Sequence, residues 1–250
     1  MKNSFFLLLF LTLNLFSNED LANRLIIAYP SFLEKYEDNF IYFKDGSKME
    51  FSKNREFKSY EDRLNNSSLE DQMSMKYPKI SEFKDFIPSF NDDAGRLRDE
   101  EFFKKMYGKN KNEVEKNLVK IRWLEKLQNK TLLVTKINDI DKKLMLISQE
   151  LENLPSEYRK YITNIAGTYK YRKISQTNRL SSHSFAIAID LNTKYSNYWL
   201  WEKKSDKISS YKNQIPLKIV EIFEKYGFIW GGRWYHYDTM HFEYRPELLI

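Results

Sequence analysis

Apolar and polar positions alternate most clearly in two short stretches of the C-terminal half, and these set the expected fold. Phe185, Ile187, Ile189 and Leu191 fall at every second position, the period of a half-buried strand. Phe242 and Tyr244 alternate with His241, Glu243 and Arg245, giving a second strand with one apolar and one polar face. Residues 131–137 form a strand candidate. Residues 139–154 carry Leu144, Ile147 and Leu151 at helical spacing and stop at Pro155. A further helix is expected over 156–166, ended by Gly167, then a strand over 168–174. The helix over 216–226 has Pro216 in its first turn, Leu217, Val220 and Phe223 on one face, and Gly227 after its end.

Nearer the N-terminus, aromatic runs flank Asp45-Gly46 and predict a hairpin over 40–51. Residues 67–70 read as a capping box, and 99–107 as a short helix closed by Gly108. The run Asp92-Asp93-Ala94-Gly95-Arg96 is dense in turn formers; capping the helix that follows is favoured over binding an ion. Helices and short strands alternate without a βαβ rhythm. The expected class is α+β, a small mainly antiparallel sheet flanked by helices, with an accessory region over 23–120 and a catalytic unit over 121–250.

Residues 1–17 hold one lysine, an apolar run and then a polar stretch, and are expected to be a signal peptide, with an uncleaved anchor as the rival. Without any cysteine the chain has neither disulfides, Cys-ligated metals nor lipoprotein processing, so its stability rests on a packed core. The net charge of +6 comes from lysines scattered among acids, a solvated mixed surface rather than a nucleic-acid stripe. An exported monomer of the periplasm or cell envelope is expected, with no nucleic-acid partner and no membrane span once the signal is removed.

The only three histidines are His183, His236 and His241, each within a few residues of Asp190 or Asp238. Histidines from both segments with a carboxylate make a site for a borderline-soft divalent cation, for which zinc is the expected occupant. His183 and Asp190 are an odd number of positions apart, so sharing an ion requires a bend between them. The strand therefore starts after His183, and Ala186 and Ala188 leave room on the Asp190 face. A hydrolytic zinc site also needs a carboxylate as proton acceptor, and Asp238, on the turn before His241, is the natural candidate.

Ser181, His183, Ala188 and Asp190 fit the pattern Ser-x-His-x-x-Gly-x-Ala-x-Asp, and Asp238 to His241 fit Asp-x-x-His. Together they resemble the VanY-like group, the zinc D-alanyl-D-alanine carboxypeptidases and L-alanyl-D-glutamate peptidases of bacterial cell-wall metabolism. The resemblance implies His183, Asp190 and His241 as ligands of Zn2+, Asp238 as catalytic base, and Arg172 as the residue that binds substrate and polarises the scissile carbonyl. It implies peptidoglycan stem peptides as substrate, with either bond open. Arg179 competes with Arg172. Ser181 and His236 are expected substrate contacts, with loop formation open for Ser181 and ligation or the surface open for His236. Glu243 either orients a ligand or is solvated. Ala186 stands where the family usually has glycine, the one feature favouring a non-catalytic wall-binding protein that has kept the site.

Overall fold

The computed structural model describes residues 17–175, 177–204, 207–208 and 210–250. The apolar run of the expected signal peptide lies outside the described residues. Ser17 does not: its Oγ accepts from the Asp20 amide and begins helix α1 (Asn18–Ala28). Among the described residues no helix is long and apolar enough to cross a membrane.

After α1, β1 (Leu33–Glu37), β2 (Phe40–Phe43) and β3 (Lys48–Glu50) make an antiparallel sheet. The expected hairpin is its second half, turned where Gly46 takes φ +82° and Asp45 accepts from Ser47. Helices α2 (Tyr60–Asn66) and α3 (Leu69–Ser74) follow. The capping box belongs to Ser68 and Asp71, one residue beyond the expected position. Ser67 instead closes α2, donating its hydroxyl to the Arg63 carbonyl. Helix α4 (Glu100–Tyr107) is capped by Asp99 and closed by Gly108, as its sequence predicts. Asp92 and Asp93 therefore do not cap it.

Helix α5 (Lys111–Glu115) leads into the hairpin of β4 (Leu118–Trp123) and β5 (Lys130–Thr135), covered by α6 (Ile140–Glu152). The boundary expected between residues 120 and 121 falls inside β4. The helix expected over 156–166 is shorter: after a 3-10 turn, α7 (Arg159–Ile162) stops where the Thr163 hydroxyl donates to the Arg159 carbonyl and Asn164 turns to φ +53°. The strand expected over 168–174 is extended chain with isolated bridges. Its polar groups are used by the next turn, Lys170 N donating to His183 O and the Ser184 hydroxyl bonding both N and O of Arg172.

The remaining elements are β6 (Ala188–Asp190), α8 (Trp199–Glu202), the short pair β7 (Lys203–Lys204) and β8 (Lys207–Ile208), α9 (Leu217–Lys225), β9 (Phe228–Trp230) and β10 (His241–Tyr244). Strand β10 lies between β6 and β9, antiparallel to both. Its apolar face carries Phe242, whose ring stacks 4.0 Å from Phe223 of α9. Phe223, Phe228, Phe242 and Trp230 are all buried, each worth roughly 1.5–3 kcal/mol of apolar burial. With that face anchored, the opposite face of β10 can carry charge.

One apolar core runs from Leu21 to Leu248. Buried charges also join the two regions. Arg245 is fully buried and donates to Glu247 (2.6 Å), Glu243 (3.1 Å) and the Gly95 carbonyl (2.5 Å), while Glu247 takes the hydroxyl of Tyr29 (2.7 Å) and the amide of Gln72 (3.2 Å). The accessory region is thus packed against the strand that carries His241.

Candidate metal centre

The register of β10 on β6 builds the centre. His241 stands opposite Asp190, and Glu243 opposite Ala188, whose small side chain leaves the polar face open. His183 arrives from a 3-10 turn over Ser182–Phe185 that ends at Ala186, with φ +56° and ψ +33°. That left-handed residue is the bend required by the odd spacing of His183 and Asp190. Alanine adopts it, at a cost of about 1–2 kcal/mol for an L residue, and the turn closes with Ala186 N donating to His183 O.

The donor atoms of His183, Asp190 and His241 lie within 4.8 Å of one another. His183 Nδ1 is 2.6 Å from the Thr168 carbonyl, a contact only an N–H can make, so Nε2 of the neutral ring carries the lone pair. This Nε2 is buried, 3.1 Å from Asp190 Oδ2, and has no hydrogen-bond partner among the described residues. His241 turns Nδ1 to Asp190 Oδ1 (2.8 Å) and Nε2 to Glu243 Oε2 (3.2 Å). A bare imidazole nitrogen, a carboxylate and a second imidazole backed by a carboxylate suit a borderline divalent cation and leave a coordination position open.

The charges agree with this geometry. Burial would raise the Asp190 carboxyl, but His183 and His241 outweigh it and hold it well below the usual range. Burial opposes charge on His241, yet Asp190 and Glu243 on either side raise it to about 10. Glu243 is held low despite burial by His241, Arg98 and Arg245. Asp238 goes the other way: burial, then repulsion from Asp190, pushes it up to about 7. Its Oδ1 is buried without a partner among the described residues. Its carbonyl approaches Gly231 so closely that a Cβ there would sit 2.5 Å from it, which explains the glycine.

The other expected residues are spread around this centre. Arg172 is exposed; its backbone is tied to the His183 turn by Ser181 and Ser184, and its guanidinium donates to the Lys173 carbonyl (3.4 Å). Arg179 is buried and donates to the Arg96 carbonyl (3.2 Å), so it supports a loop. Ser181, expected among the substrate contacts, is buried with Oγ accepting from the His183 amide; it caps the turn. His236 is half-buried and bonds Asp93 through its backbone N (2.9 Å) and Nδ1 (2.6 Å). Its ring stacks on Tyr60 and meets Trp199 edge-on, apart from the ligand cluster. Trp234 is buried 5.6 Å from the His241 ring.

Residues 175–244 match the family described as D-alanyl-D-alanine carboxypeptidase. Over those residues the chain is similar to the VanY-like peptidases. No curated protein and no solved structure matches the chain. The matched segment contains His183, Asp190, Asp238 and His241, and supports a peptidase of the carboxypeptidase type. Arg172 and everything before it fall outside the match.

The loop from Asp92 to Arg98 is what sequence reasoning missed. Asp92 O accepts from Tyr235 N (2.8 Å), Ala94 O from Trp234 Nε1 (2.6 Å), and Arg98 reaches Glu243 (3.6 Å) and Leu180 O (3.1 Å). Gly95 takes φ +106°, and a Cβ there would meet Ile229 at 2.3 Å, so the loop can lie this close only with glycine. The clue in the sequence was a glycine and two aspartates together, just ahead of a helix that Asp99 already caps.

Proposed function

We propose that this chain is a zinc-dependent peptidase of the bacterial cell envelope that hydrolyses peptidoglycan stem peptides, with His183, Asp190 and His241 as metal ligands and Asp238 as general base. The observation that carries the reading is two buried atoms with no hydrogen-bond partner among the described residues, His183 Nε2 and Asp238 Oδ1: a lone pair ready for a cation, and a carboxylate ready for a proton three residues before His241. When bound, zinc would polarise the scissile carbonyl and make water more acidic.

The chain's own residues do the rest. Thr168 and Glu243 hold the two imidazoles in the tautomers and orientations that ligation needs. Asp238, with a carboxyl near neutrality, accepts a proton from the attacking water as the new C–O bond forms. As the C–N bond breaks it returns that proton to the departing amine, leaving a shortened peptide acid and a free amine. Arg172 steadies the carbonyl oxygen, and Trp234 and His236 wall the cleft. Ala186 does not weaken the reading, because it adopts the glycine-like conformation with the turn intact.

Digestion of purified peptidoglycan with the zinc-loaded protein, followed by mass spectrometry of the products, tests this. Loss of a terminal D-Ala, or cleavage between L-Ala and D-Glu, is the expected result. Unchanged muropeptides would overturn it.

A further inference from the structure

Resting on the stem-peptide reading, we propose that Arg96 binds the free C-terminal carboxylate of the substrate, so that the enzyme cuts from the peptide's end. Arg96 lies outside the family-matched residues, on the loop laid against Trp234, Tyr235 and His236 just before Asp238. Asp93 is the loop's fixed point. It is fully buried, and its Oδ2 takes the His236 ring and the Tyr60 hydroxyl in close bonds. Arg96 Nη1 reaches the same oxygen only at 3.5 Å, the limit of a hydrogen bond. Asp93 thus steers the Arg96 guanidinium without saturating it, and the side chain stays 20% exposed.

The neighbouring arginines are engaged elsewhere. Arg98 serves Glu243 and Leu180, and Arg179 serves the Arg96 carbonyl. The Asp93 oxygen that Arg96 approaches also holds the His236 ring, two residues before Asp238, and the Ala94 carbonyl of the same loop holds Trp234, whose ring lies 5.6 Å from that of His241. A guanidinium with donors to spare, on the loop that borders the metal centre, suits an anion in the substrate. Its planar fork matches a carboxylate. In a peptide the carboxylate nearest the scissile bond is the free C-terminus, one residue beyond it in a carboxypeptidase substrate. A peptide whose C-terminus is amidated offers no anion at that place.

The test uses an acylated peptide ending in D-Ala-D-Ala as its free acid and as its C-terminal amide. Binding of both to the Asp238→Asn protein is measured by calorimetry, and hydrolysis of both by the unaltered protein. The acid should bind on the order of tenfold to a hundredfold more tightly, as charged hydrogen bonds warrant. Arg96→Gln should collapse the ratio, with Arg96→Lys retaining part of it and thermal unfolding checking the fold of each variant. An acid preference that persists in Arg96→Gln, or equal binding of acid and amide before any change, overturns the proposal. Acid-selective, Arg96-dependent binding with no hydrolysis of either peptide would leave this subsite standing and remove the peptidase reading instead.

Discussion

His241 and Glu243, two residues apart on β10, face each other with Nε2 3.2 Å from Oε2, while the other ring nitrogen of His241 faces Asp190. A strand alone places them on one face. The partners of Glu243 make the contact rigid, since Arg98 and Arg245 hold its carboxylate from behind.

Glu243→Gln keeps the shape but removes the anion that orients the ring. Metal affinity should fall about 10–100-fold, read by competition with a chelator of known strength. Glu243→Ala also takes a carboxylate partner from both Arg98 and Arg245, so it should cost about 3–5 kcal/mol in denaturant unfolding. Equal, small effects from both changes would mean that Glu243 does not orient the His241 ring.

Ala186 permits a test of local strain. Glycine would relieve about 1–2 kcal/mol of left-handed conformation, against about 0.8 kcal/mol for the buried methyl it removes. Ala186→Gly should therefore raise stability by up to about 1 kcal/mol, whereas Ala186→Val should lower it by more than about 2 kcal/mol. Denaturant unfolding of the metal-free proteins measures both.

Gly95→Ala brings a Cβ to within 2.3 Å of Ile229 at a backbone angle that L residues avoid. Alanine is strained at that angle and the buried Ile229 methyl must also shift, so the change should cost about 1–3 kcal/mol in denaturant unfolding. The acid preference expected of Arg96 should weaken with it. Unchanged stability would show that the loop does not pack as described.

The metal-free site should respond to pH in one direction. Asp238, raised from 3.8 to about 7, favours the folded state when protonated, so its contribution declines as pH rises between those values. His241, raised from 6.5 to about 10, contributes fully below 6.5 and loses that contribution as pH climbs through 10. Zinc competes with these protons, so the rise in melting temperature on adding zinc should grow from about pH 5 to about pH 9. A pH-independent rise would mean that the ion binds elsewhere.

Much of the centre was legible in the sequence because chemistry and period coincide there. Three histidines, two nearby aspartates and an alternation of two fix which side chains share a face, and the odd spacing of His183 and Asp190 calls for the bend found at Ala186. The strand expected over 168–174 failed because alternation signals exposure on two sides, not a partner; the nearest partner, the His183 turn, takes its hydrogen bonds through Ser184. The loop around Asp93 was illegible for a different reason. Turn formers read locally, whereas Asp93 acts on His236, 143 residues away. Ser181, two residues before His183, suggests either substrate contact or loop formation from sequence alone, and the bond its oxygen accepts from the His183 amide shows only in the structure.

The most direct measurement pairs zinc content with turnover in Asp238→Ala. Zinc should remain bound one per chain, since His183, Asp190 and His241 are untouched, while hydrolysis falls by about 10²–10⁴-fold. Hydrolysis at the unaltered rate, or zinc lost together with activity, would contradict the assignment of three ligands and a separate base.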